Sequence, residues 1–133
     1  MTSDPASMTL KERAEAQIIA DLVSDKALRA LFPKKQNEDG KQKLPRLAVV
    51  ATVGKEISPG AGLFNLTVAI EVYFKYPADN AEDLDRVVSK VSSALAFAQA
   101  AGNYGVILDG EQPTQFVSDT IRKRVVAARL LAG

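Results

Sequence analysis

The chain has 133 residues, 47% of them hydrophobic and 25% charged, with 17 Lys and Arg set against 16 Asp and Glu. A net charge of +1 gives no global attraction to nucleic acid or to an anionic membrane. With no Cys and no His, the chain has no disulfides, thiolate nucleophiles, imidazole bases or usual zinc sites.

A chain of this length reads as one domain, residues 1–133, able to bury about two thirds of its unfolded surface. Its apolar runs, such as Leu47–Ala51, fall far short of the ~20 residues needed to cross a bilayer. Residues 1–8 are small and polar and include Asp4, so they read as a loose tail and not as a signal peptide. A soluble protein in a cytoplasm-like compartment is the expectation.

Thr9 and Glu12 have the spacing of a capping box, which predicts a helix start. Leu10, Ala14, Ile18, Leu22 and Val23 then recur at helical spacing. Ser24 and Asp25 restart a short helix carrying Leu28, Leu31 and Phe32, and Pro33 ends it. Residues 34–43 (KKQNEDGKQK) are the most hydrophilic stretch and read as a loop.

Leu44–Val53 reads as a strand with Leu47, Val49, Ala51 and Val53 on one face. Both of its faces are fairly apolar, which suits a central strand or a subunit contact. Residues 54–62 (GKEISPGAG) form a hairpin-type connection. This segment lacks the spacing of a phosphate-binding loop and joins two strands, so no phosphate cradle is assigned to it.

From Phe64 to Tyr76 the chain alternates strictly, with Phe64, Leu66, Val68, Ile70, Val72, Phe74 and Tyr76 on one side. That is a strand with one covered and one wetter face, as antiparallel sheets have. Pro77 stops it, and Asp79 or Asn80 caps a second long helix. Leu84, Val87, Val88, Val91, Leu95 and Ala98 form its apolar stripe, and Gly102 and Asn103 are its stop residues.

Glu82, Asp83 and Asp85 complement the positive end of that helix dipole. They diverge in direction, so they are not read as metal ligands or as an acid–base pair. Tyr104–Leu108 reads as a short strand ended by Asp109-Gly110, and Phe116–Leu131 as a last strand. The expected fold is α+β: a mostly antiparallel sheet of about four strands with two main helices packed on one face.

Two basic clusters stand out. One is Lys34, Lys35, Lys41, Lys43 and Arg46, diluted by Glu38 and Asp39; the other is Arg122, Lys123, Arg124 and Arg129. Neither is interleaved with aromatic residues for stacking bases, so a solvated loop and a charged strand face are the simpler readings. No catalytic, cofactor-binding or metal-ligating residue is assigned. Tyr73 and Leu63 on the wetter face, with the two-sided apolar strand at 44–53, hint at oligomerisation.

The pattern from Leu44 to Ala98 carries a resemblance. A Pro-Arg strand leads to a Gly-containing loop, a strictly alternating strand, a Pro-Ala-Asp turn and an amphipathic helix. This resembles the head–tail joining proteins of tailed bacteriophages, in particular the tail terminator and tail-completion group. In that group a helix precedes a β-hairpin, a second helix packs on the sheet, and further strands finish the domain.

The resemblance implies a non-enzymatic virion protein, made in the host cytoplasm and placed in the tail or neck. Its copies are expected to form a homo-oligomeric ring, roughly a hexamer, through a heterologous interface. Such a ring caps the tail tube protein, meets the head connector and passes DNA non-specifically. No membrane partner and no cofactor are expected. Val49, Ala51, Ile57, Leu63 and Tyr73 are then candidate subunit-interface residues, and Arg122 and Arg124 candidates for the lumen or an axial partner surface. The alternative is a small α+β ligand-binding or regulatory module that forms dimers.

Overall fold

The computed structural model describes residues 8–32, 44–77, 81–100 and 107–132. Within them α1 spans Leu10–Leu22, α2 Lys26–Arg29, β1 Arg46–Glu56, β2 Phe64–Lys75, α3 Ala81–Ala100, β3 Ile107–Ser118 and β4 Ile121–Ala132. Nearly all of the expected 1–8 tail, the 34–43 loop, Pro33, the Asp79 or Asn80 cap and the stop at Gly102 and Asn103 lie outside the described residues.

The four strands form one antiparallel sheet in the order β1-β2-β4-β3, so the architecture is α+β as expected. The alternation of β2 is realised side by side. Leu66, Val68, Ile70, Val72 and Phe74 are buried under the helices, while Asn65, Thr67 and Lys75 are exposed. Ile18 and Leu22 of α1, Leu28 of α2, and Val88, Val91 and Leu95 of α3 meet that face in one core. Full burial of each such aliphatic side chain contributes about 1.5–3 kcal/mol before entropy is subtracted.

The capping box at Thr9 forms with a twist. Its hydroxyl oxygen accepts from the Glu12 N–H at 3.1 Å, but the Glu12 carboxylate accepts the hydroxyl proton at 3.0 Å and so steadies the cap side chain. Asp25 caps α2, accepting from the N–H groups of Ala27 (2.8 Å) and Leu28 (3.3 Å). Burial opposes ionisation of that carboxyl, yet the two N–H groups and Lys90 outweigh it and hold its pKa below the ordinary value.

Three expectations are corrected. β1 runs through Gly54 to Glu56, so the hairpin connection is 57–63 and not 54–62. Gly54 sits where a Cβ would lie 2.8 Å from the Asn65 carbonyl oxygen, which fits an irregularity between Val53 and Glu56.

The second correction concerns Asp109-Gly110, which does not end a short strand. Gly110, at φ +99°, forms a bulge inside a long β3. The third is that Phe116–Leu131 is not one strand. A turn at Asp119 and Thr120 divides it into the end of β3 and all of β4.

Candidate interaction surfaces

With the helices on one face, the register assigns every β2 and β4 side chain to a covered or an open side. Val49 and Ala51 pair with Ile70 and Val68, so both point toward the helices. Ala51 is buried and Val49 packs against the core, which accounts for their burial within the chain. Tyr73 lies on the opposite, open face. Ile57 and Leu63 are exposed at the tip of the β1–β2 hairpin, joined by a bond from the Ile57 N–H to the Leu63 carbonyl at 2.9 Å. The five candidate interface residues therefore occupy three separate places.

That tip is held by Glu56, whose carboxylate accepts from the N–H groups of Gly60 (2.9 Å) and Gly62 (3.2 Å). A loop organised this way presents Ile57 and Leu63 in a fixed arrangement instead of a wandering one.

Arg122 and Arg124 share a strand face, as their spacing predicts, and register puts it on the helix side, opposite Phe74 and Val72. Arg124 is clasped by Asp85 of α3 and Glu111 of β3. The hydrogen bond to Glu111 outweighs burial and raises its pKa above the usual value. Arg122 lies between two rings, 4.2 Å from the centroid of Tyr76 and 4.7 Å from that of Phe116. Its guanidinium also donates to the carbonyls of Ser118 and Ile121. Both arginines line a cleft of about 500 Å³ between the start of α3 and the β3–β4 strands.

The open face carries a cluster that spans three strands. Arg46, Tyr73 and Lys123 stand in one cross-strand row, and Ala48, Glu71 and Val125 in the next. Glu71 accepts from the Tyr73 hydroxyl at 3.0 Å and from the Lys123 ammonium. The Arg46 guanidinium stacks 3.9 Å from the Tyr73 ring centroid. This roof leaves Glu71 only 9% exposed and Val125 only 5%, although among the described residues no helix or strand covers the face. The hydrogen bond to Glu71 raises the Lys123 pKa, while burial and the bond to Glu71 raise that of Tyr73.

Glu71 was not singled out from the sequence. The available signal is a lone carboxylate inside a long alternating strand, which needs a cross-strand cation once neighbours crowd it.

A second cleft, of about 470 Å³, lies between α1, α2 and α3 and is lined by Asp21, Lys90, Ser93 and Phe97. Burial raises the Asp21 pKa, and among the described residues its Oδ2 has no hydrogen-bond partner. Also among the described residues, no group of three or more acidic side chains is placed to hold a metal ion, and no helix is long and apolar enough to cross a membrane. No protein-family model matches the chain, and no curated protein matches its sequence.

Proposed function

We propose that the chain is a structural subunit that assembles with copies of itself into a ring at the head–tail junction of a tailed bacteriophage. In this reading the ring terminates the tail tube, meets the head connector and lets DNA pass through its centre. The protein acts through surfaces and carries out no chemistry. One observation carries the reading: the order helix, hairpin, helix, two strands, with the helices gathered on one face, is the order that the resemblance implies.

A closed ring needs two different patches on each subunit. The hairpin tip at Ile57 and Leu63 supplies one: apolar, exposed and pinned by Glu56. Arg122 and Arg124 remain candidates for an axial or lumenal surface through whatever part of each guanidinium the clasping groups leave free.

Native mass spectrometry with negative-stain imaging tests this reading, on the protein alone and with tail tubes added. Rings of roughly six copies are expected, alone or on the tube. Replacing Ile57 and Leu63 with Asp should give folded monomers that no longer close. Unchanged rings in that variant would remove the tip from the interface. A compact dimer indifferent to tail tubes would instead favour the ligand-binding module.

A further inference from the structure

The open face of the sheet has a centre unlike its surroundings. Across the four strands, Val50 pairs with Ala69, Ala69 with Ala127, and Ala127 with Gly110. The Ala69 and Ala127 side chains are small and Gly110 has none, with the exposed Val50 at the β1 end of the row, so another backbone can approach closely there. Three inter-strand spacings make the row about 14 Å long, which roughly ten residues of helix would cover.

Charge surrounds this row unevenly. Register places Arg46, Lys75, Lys123 and Arg129 on the open face. Against these four cations stand Glu71, which Lys123 holds, and Asp109, which Arg129 holds at 3.0 Å. Among the described residues no carboxylate pairs with Arg46 or Lys75, and the Arg46 Nε is buried with no acceptor. The face thus keeps an excess of positive charge at one end of an apolar, small-residue centre.

We propose that this face docks an acidic amphipathic segment of another protein. The segment's apolar side lies on the Val50–Gly110 row, and its carboxylates reach Arg46 and Lys75. A second copy of this chain fits poorly in a face-to-face pair, because each copy would bring the same positive excess. Nucleic acid fits poorly too. The apolar row offers its phosphates nothing, and the Tyr73 ring, the stacking surface a base would need, is already covered by Arg46. The inference is independent of the ring reading, which rests on the order of the elements and puts its tested contact at the hairpin tip.

The test uses the full chain and a labelled synthetic helix of Leu and Ala on one side and Glu on the other. A control peptide carries Lys in place of every Glu. Binding is followed by fluorescence anisotropy and by backbone amide shifts. The acidic peptide should bind at least about tenfold more tightly than the control, with shifts at Val50, Ala69 and Ala127. Ala127→Glu, which adds bulk and negative charge to the row, and Arg46→Gln should each weaken it about tenfold or more while circular dichroism is unchanged.

The proposal fails if the two peptides bind alike, if neither binds, or if the shifts map to the helices. Self-association abolished by Ala127→Glu would assign the face to a second copy, and stronger binding of a DNA duplex at this row would assign it to nucleic acid. Either result overturns the proposal. Loss of rings in the Ile57 and Leu63 variant with peptide binding intact would separate the two ideas.

Discussion

The sheet has two edges, and they are kept from pairing with stray strands in different ways. The β1 edge is even, with eight consecutive rungs to β2 from Arg46 to Val53. Two of its outward amides are capped: the Leu31 carbonyl accepts from the Leu47 N–H at 3.1 Å, and the Glu15 carboxylate from the Ala51 N–H at 2.9 Å. The β3 edge has one such cap, the Gln99 side-chain oxygen of α3 accepting from the Leu108 N–H at 3.1 Å, but its pairing with β4 shifts three times, and Pro113 within it has no N–H to offer. An edge can be made safe by filling its donors or by making it a poor template. This chain leans on the first at β1 and chiefly on the second at β3.

The comparison can be broken from the β1 side first. Ile18 is fully buried in α1 and anchors the helix that carries Glu15. Ile18→Ala should cost about 2–5 kcal/mol in urea unfolding, through lost burial and the cavity left behind. A loss below about 1 kcal/mol would mean that α1 is not fastened through this side chain.

On the β3 side, Gly110 carries the bulge at φ +99°, and a Cβ there would meet no atom within 4 Å. Gly110→Ala should therefore cost about 1–2 kcal/mol through backbone strain alone. A neutral result would show that the bulge does not depend on that conformation. The smallest effect belongs to Glu15→Ala, expected at about 1 kcal/mol. Its sharper readout is amide hydrogen exchange: Ala51 should exchange faster while the β3 amides stay as they were.

The same two edges show what sequence reading can and cannot recover. β2 was legible because an unbroken alternation of large and small or polar side chains has one structural solution. α1 and α2 were legible from Thr9 and Asp25, whose side chains do what capping chemistry requires. β3 was not. Asp109-Gly110 has the composition of a turn, and nothing local says whether such a pair reverses the chain or only kinks it. The true turn, Asp119-Thr120, contains neither Gly nor Pro.

Among the surface candidates, spacing sufficed to put Arg122 and Arg124 on one side of a strand. Which side that is depends on pairing between β4 and β2, segments separated by 45 residues in which no local rule applies. For the same reason Val49 and Tyr73 were both interface candidates, although they lie on opposite faces of the sheet. The Glu71 cluster draws one member from each of β1 and β4 and two from β2, so it exists only once the sheet is complete.

The place of β4 also bears on how the protein is made. It lies between β2 and β3, yet of these four strands it is the last to be synthesised. At ~5–20 residues per second, β2 waits several seconds with one whole flank unmatched. Throughout that interval the nascent chain displays Leu66, Val68, Ile70 and Val72 on a strand whose partner has not been synthesised. Sheet assembly therefore waits on the synthesis of β4, and a chaperone that holds β2 until then protects the step at which this chain is most exposed to misassembly.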